Sequence, residues 1–217
     1  MIRTQVPAAD VLVDPPGLPG MLRIPADPVG LVVFAHGAGS SRHSPRNNAV
    51  AEQLGLSGMA TLLFDLLTES EARDRAKVFD IALLAERIAA ASVWAAQQPG
   101  IAPLPMGLFG ASTGAAAALV AAAEPRCDIK AVVSRGGRPD LAGDALSRVR
   151  APTLLIVGGA DSDVIQLNKR ALAELSCTKQ MAIVPGATHL FAEPGALEQV
   201  IELAAAWFRS ALGPGTP

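Results

Sequence analysis

Short, largely apolar runs recur along this chain, separated by longer helical stretches, and that alternation limits the possible folds more than any other feature. The runs are residues 30–35 (GLVVFA), 61–65 (TLLFD), 106–110 (MGLFG), 131–134 (AVVS), 153–157 (TLLIV) and 181–184 (MAIV). None alternates apolar with polar residues, so each reads as a strand covered on both faces. Helical stretches are expected near 47–57, 73–97, 113–123, 164–175 and 193–212. Strands alternating with helices predict a parallel sheet with right-handed crossovers. Residues 11–13 and 21–24 add an antiparallel edge hairpin across Pro15-Pro16-Gly17. The expected class is α/β, a doubly wound and mostly parallel sheet with helices on both faces. One domain is expected over 1–217, with 213–217 a frayed tail.

Charge is scarce, at 18% of residues against roughly 25% in average soluble proteins. It vanishes from Ile88 to Ala123, where no Asp, Glu, Lys or Arg occurs. A membrane span needs about 20 continuous apolar residues. The window is instead broken by Gln97-Gln98-Pro99-Gly100, Pro103, Pro105, Gly107, Gly110, Ser112 and Gly114, so it reads as buried core. The first residues, Met1 to Pro7, lack the apolar stretch of a signal peptide. Cys127 and Cys177 form neither a disulfide framework nor a metal-site spacing. A cytoplasmic setting is the expectation. A net charge of −2, 4% aromatic residues and no Tyr argue against nucleic acid as a partner. A small molecule or a protein is the remaining partner class, with no membrane, metal or organic cofactor called for.

In doubly wound sheets the working surface lies at the carboxyl ends of the strands. The run 106–110 ends in Gly110-Ala111-Ser112-Thr113-Gly114, a Gly-x-Ser-x-Gly pattern placed between a strand and an Ala-rich helix. Such a turn holds a serine in a strained conformation, exposes its hydroxyl, and needs small flanking residues to avoid clashes. A nucleophilic Ser112 requires a base and an acid that orients the base. Only three histidines are available. His189 follows the last strand and can reach back to the serine. His36, beside a glycine after the first core strand, reads as structural, and His43 lies in a polar loop. Asp161, after the run TLLIV, is the preferred acid. Asp163 reads equally as a first-turn acid of the next helix, and Asp65 is the alternative at another strand end. The chain order Ser112, Asp161, His189 is that of α/β-hydrolases. Backbone donors for an oxyanion are expected from Thr113 and from Ala38 in His36-Gly37-Ala38-Gly39-Ser40.

On HGAGSS, GASTG, GGADSDV and PGATHLF, the chain resembles the dienelactone-hydrolase-like branch of the α/β-hydrolase superfamily from about 30 to 212. SSRHSPRN and SRGGRPDL make it especially similar to small members found alone or fused to phosphoribosyltransferase domains. The resemblance implies an α/β-hydrolase fold and a Ser/Cys-Asp-His triad on Ser112, Asp161 and His189. Two departures stand out: dienelactone hydrolases proper carry Cys where this chain has Ser112, and a glycine often found just past the elbow is Ala115.

Only residues 135–152 separate the runs AVVS and TLLIV, too few for an inserted helical lid, so an open site and small acyl groups are expected. Arg42, Arg46, Arg135 and Arg138 fall on strand-end loops, where a guanidinium can capture a carboxylate or phosphate. Arg135 is the preferred candidate for substrate contact, with His43 and Phe191 as further ones, although pairing with Asp65, Asp140 or Asp144 is the competing role for the arginines. Phe191 reads equally as an anchor for the last helix. The leading functional reading is a serine hydrolase acting on small carboxylic esters or thioesters. Lactone or C–C bond hydrolysis, or perhydrolysis, on the same residues is the alternative within enzymes. A binding module that kept the fold is the alternative outside them.

Overall fold

The computed structural model describes residues 6–213. The start of the chain and all but the first residue of the expected frayed tail lie outside that range. Eight strands form one sheet in the order β1-β2-β4-β3-β5-β6-β7-β8. The strands are β1 (Ala9–Val13), β2 (Leu18–Arg23), β3 (Gly30–Ala35), β4 (Met59–Phe64), β5 (Met106–Ala111), β6 (Ile129–Arg135), β7 (Thr153–Gly158) and β8 (Lys179–Val184). β1 and β2 are the expected antiparallel edge hairpin, and from β4 to β8 every neighbouring pair is parallel. The fold is the doubly wound α/β arrangement.

Side chains of a strand point alternately to opposite faces, and the two faces are covered by different helices. On one side Leu31, Val33, Leu108, Val132 and Leu155 pack with the second layer's α4 (Ile81–Ala95), α5 (Thr113–Ala122) and α6 (Ser162–Glu174). On the other, Val32, Phe34, Phe109, Val133 and Ile156 meet α1 (Pro45–Leu56) and α7 (Ala196–Leu212). β3, β4, β5 and β7 are buried along their whole length. Each fully buried Leu or Phe there contributes roughly 1.5–3 kcal/mol, which accounts for continuous apolar runs in place of alternation.

Two expectations need correction. The stretch 73–97 is not one helix: α2 (Glu69–Ala72) and α3 (Arg75–Val78) precede α4. Asp74 and Asp80 divide it, each accepting a backbone N–H from the helix that follows, Ala76 at 2.9 Å and Leu83 at 3.0 Å. β8 begins earlier than its apolar run, because an edge strand tolerates the exposed Lys179 and Gln180. Between β6 and β7 lies a 3-10 segment, Pro139–Arg148, with a break at Gly143. It packs on α5 and α6, and no lid is inserted there. No helix of the described residues is long and apolar enough to cross a membrane.

Candidate active site

Ser112 sits between β5 and α5 at φ 51° and ψ −124°, a left-handed conformation for a non-glycine residue. The turn is over-determined by packing around it. A Cβ on Gly110 would lie 2.4 Å from the Ala115 Cα, and one on Gly114 would lie 2.3 Å from the Ala35 carbonyl oxygen. Only glycine fits either place, so the strand, turn and helix are held closer than side chains allow. The strain of a few kcal/mol at such a residue persists because its surroundings leave it no alternative. α5 behind the turn is buried at every residue except Val120. The charge-free window is thus the end of α4, the central strand β5, the elbow and α5.

His189 follows β8, and its Nδ1–H donates to Asp161 Oδ2 at 2.8 Å. The Asp161 carboxylate is 17% exposed and the imidazole 40%. The carboxylate is therefore sheltered while the ring stays open to incoming molecules. Asp163 belongs to the first turn of α6. Asp65 accepts the Arg42 backbone N–H at 2.7 Å and pairs with the Arg42 guanidinium. Neither competing acid bonds the imidazole. β6 connects the two halves of the site. The Ser112 N–H donates to the Arg135 carbonyl at 3.3 Å, and a Cβ on the adjacent Gly136 would lie 3.7 Å from His189 Cε1. Ser112 and His189 thus flank one two-residue stretch. No hydrogen bond joins Ser112 Oγ to the ring in this conformer, a gap often seen before substrate tightens such contacts.

The loop after β3 closes the site from the other side. A Cβ on Gly37 would stand 2.9 Å from Ser112 Cβ, so this backbone lies directly against the serine. His36 fixes the loop's shape. Its Nε2 accepts the Leu66 N–H at 3.1 Å, and Nδ1–H donates to the Gly37 carbonyl at 3.0 Å. Burial pushes its pKa below the ordinary value, the Gly37 hydrogen bond and the Asp65 charge offsetting part of that shift. The ring therefore stays neutral, in the structural role expected of it. The Ala38 N–H donates to Thr113 Oγ1 at 2.9 Å. That contact was invisible in the sequence, where only the Thr113 amide stood out. A pocket of about 390 Å³ opens beside this loop, walled by Leu66, Leu67, Ala72, Val78 and Leu84. Gly37 and Ala38 line it and Ser112 does not, so it lies on the Ala38 side of the serine. In the loop after β4 the sequence had singled out only Asp65, as an alternative acid, and not the apolar residues that wall the pocket.

The four strand-end arginines divide into two pairs. Arg42 is matched by Asp65, and Arg138 by Asp140 through two bonds of 2.9 and 2.8 Å. Arg135 and Arg46 have no carboxylate partner among the described residues. Arg135 is 8% exposed, and its Nη2 donates to Asn47 Oδ1 at 3.2 Å. Burial first, and then the charge of Arg46, lower it to about 10. His43 is exposed, with its ring outside the site's hydrogen bonds. Phe191 is corrected as a substrate contact: at 1% exposure it packs with Val200, Ala204 and Phe208 as the anchor of α7. Its covered ring leaves no surface for a ligand. No group of three or more His, Cys, Asp or Glu among the described residues could hold a metal ion.

The comparisons agree with this architecture. Residues 18–210 match the model of the Dienelactone hydrolase family. A crystal structure of dienelactone hydrolase from Anabaena variabilis is 52% identical, with a TM-score of 0.92, covering 96% of this chain and all of that one. A dienelactone hydrolase-like promiscuous phosphotriesterase from metagenomic libraries shares 18% identity at a TM-score of 0.79, over 97% of this chain and 100% of that one. Carboxyl esterase 2 of the fungus Tuber melanosporum shares 19% at 0.76, over 98% and 89%. At those identities the likeness is one of fold. Two Mycobacterium tuberculosis proteins named putative phosphoribosyl transferase are 62% identical over 206 residues, 94% of this chain. The chain spans only 46% of their length, as in a fusion with a second domain. This chain belongs to the dienelactone hydrolase family, a family of hydrolases.

Proposed function

We propose that this chain hydrolyses carboxylic esters or thioesters of small acyl groups through an acyl-enzyme on Ser112. The hydrogen bond between His189 and Asp161, formed beside the strained Ser112 turn, carries the reading. With Nδ1–H held by Asp161, Nε2 keeps a lone pair and takes the Ser112 proton as Oγ attacks the substrate carbonyl carbon. The carbonyl electron pair moves onto oxygen, and the oxyanion is met by the amides of Thr113 and Ala38. Its collapse re-forms the carbonyl and expels the leaving group, which takes the proton from His189. Water then attacks the acyl carbon, giving its proton to His189. Breakdown frees the acid and returns that proton to Ser112.

The pocket beside Ala38 suits an acyl or alcohol group of modest size, since Leu66, Leu67, Val78 and Leu84 give it apolar walls beside the polar Ser40, Ser41, Arg42, Asp65, Thr68 and Glu69. A cyclic ester is the second reading, favoured by the name of the 52% identical Anabaena variabilis protein. A cytoplasmic setting belongs to the same proposal. Labelling with a fluorophosphonate probe tests the nucleophile: the native chain is expected to label, and Ser112→Ala to remain blank. A panel of p-nitrophenyl esters from acetate to decanoate, with an acyl-CoA and a lactone, then ranks the substrates. Failure of the folded native chain to label would overturn the proposal.

A further inference from the structure

Asn168 is a polar side chain with 0% exposure in the middle of α6. Counted from Asp161, at the start of that helix, it lies two turns on, so the two residues share one helix face. Its Nδ2 donates to the Gly137 carbonyl at 3.0 Å and to the Val164 carbonyl at 2.8 Å. Its Oδ1 is buried without a hydrogen-bond partner among the described residues. Burying an amide with an unsatisfied oxygen is unfavourable, and an apolar side chain would fill the same space without that cost. What the asparagine adds is its two N–H bonds. The Val164 bond stays within α6, whereas the Gly137 bond crosses to the loop after β6.

That loop anchors the backbone of the serine. The Ser112 N–H donates to the Arg135 carbonyl at 3.3 Å, and the Arg138 N–H donates to the Ser112 carbonyl at 3.1 Å. Both backbone groups of Ser112 are therefore bonded to the residues that flank Gly136 and Gly137. Gly136, at φ 51°, stands against the base, since an added Cβ would lie 3.0 Å from the His189 carbonyl oxygen. Gly137 rests on β6 and α5, where a Cβ would come within 2.0 Å of Ser134 Oγ and 2.6 Å of Ala115 Cβ. Two successive glycines are the most permissive backbone a chain can have, and neither has a side chain to hold it in place. We infer that Asn168 is a positioning residue: it pins Gly137 to the helix that begins at Asp161, and so fixes Ser112 relative to the Asp161–His189 pair. A displacement of about 1 Å in such a site costs roughly 100-fold in rate. The inference rests on the hydrolytic reading of Ser112, while the clamp itself is testable without turnover.

Asn168→Leu removes both donors at nearly constant volume. Asn168→Ser keeps a hydroxyl that can bond the Val164 carbonyl one turn back but is too short to reach Gly137, and it keeps the test open if Asn168→Leu fails to fold. Leu175→Ala is the control, because it opens a cavity at the far end of the same helix, at a residue 1% exposed. All three are assayed with p-nitrophenyl acetate well below their melting temperatures, with rates expressed per folded molecule. Both Asn168 variants are expected to lose kcat by about ten-fold or more, with KM within about two-fold of the parent, and to label with fluorophosphonate correspondingly more slowly. Leu175→Ala should melt lower and keep the parent kcat. Amide hydrogen exchange reads the clamp directly. The Arg138 amide, referred to that of Leu108 in β5, is expected to exchange about ten-fold faster or more in Asn168→Ser, and at the parent ratio in Leu175→Ala. Unchanged kcat per folded molecule in both Asn168 variants, an equal loss in Leu175→Ala, or unchanged exchange at Arg138 would overturn the inference. If the parent labels and the Asn168 variants label as fast, the clamp alone falls. If the parent does not label, the hydrolase reading falls and exchange at Arg138 decides the clamp by itself.

Discussion

Thr113 Oγ1 accepts the backbone N–H of Ala38 at 2.9 Å, across a sequence separation of 75 residues. The bond ties the loop after β3 to the first residue of α5, and it occupies the donor that a substrate oxyanion would use. A substrate must therefore displace an internal oxygen before Ala38 can serve it. Thr113→Val keeps the side chain's shape and removes only that oxygen. The loss of one net hydrogen bond costs about 1 kcal/mol, or about 2–4 °C in melting temperature for a chain of this size. KM for a neutral ester should fall at the same time, because the competitor is gone, whereas Thr113→Ser should stay near the parent in both. Unchanged KM and unchanged melting together would show that the hydroxyl neither braces the loop nor competes.

The sequence favoured Asp161 over the nearby Asp163, and the structure separates their expected effects. Asp161 holds the His189 ring at 2.8 Å. Asp161→Asn should lower kcat by about 10³-fold or more, since the imidazole loses both its tautomer and the support for its positive charge. Asp163 lies in the first turn of α6, so Asp163→Asn should cost only about 0.3–1 kcal/mol of stability and leave kcat near the parent. Steady-state rates with p-nitrophenyl acetate, alongside urea melts, decide between them. Equal losses of kcat in the two variants would contradict the assignment.

His36 should make the fold sensitive to mild acid. Its folded-state pKa lies below the ordinary histidine value because the ring is buried, so the unfolded chain takes up a proton first as pH falls. Its contribution to stability is full above about 6.5 and declines as pH drops toward the folded value. Protonation also converts Nε2 from an acceptor to a donor, which breaks the bond from Leu66 N–H and releases the loop carrying Ala38. Melting temperature should therefore drop more steeply between pH 7 and pH 5 in the parent than in His36→Gln, although His36→Gln starts lower. Parallel curves would remove His36 from the account.

How much was legible follows from which forces are local. β3, β5 and β7 could be read because burial on both faces demands apolar runs, and Ser112, Asp161 and His189 because each occupies a strand-end loop with little else in it. The split of 73–97 depended on Asp74 and Asp80 capping new helices, and an acid that caps resembles an acid on a solvated helix face. Arg135 was read as a substrate contact at a strand end. Its burial, and the missing counter-ion, depend on the distant α1 and belong to tertiary packing alone. Phe191 was ambiguous between pocket and core for the same reason: a ring's surroundings are set by α7, which the residues next to it do not announce.

Glycines 114 and 39 offer a paired steric test of the elbow. A Cβ on Gly114 would fall 2.3 Å from the Ala35 carbonyl oxygen and 2.5 Å from that of His36. Both obstacles are backbone, so no rotamer change relieves them, and β3 or α5 must move. Gly114→Ala is expected to cost about 3 kcal/mol or more, at or beyond the upper end of ordinary overpacking, and to disturb Ser112 with it. Gly39 has φ +70° but nothing within 4 Å of an added Cβ. Gly39→Ala should thus cost only about 1 kcal/mol, the conformational penalty for a non-glycine residue in that region. Urea denaturation of the two variants measures the difference directly. If Gly114→Ala melts within about 1 kcal/mol of Gly39→Ala, the close approach of β3 to α5 is softer than these distances require, and the strain at Ser112 is not being held in place by that contact.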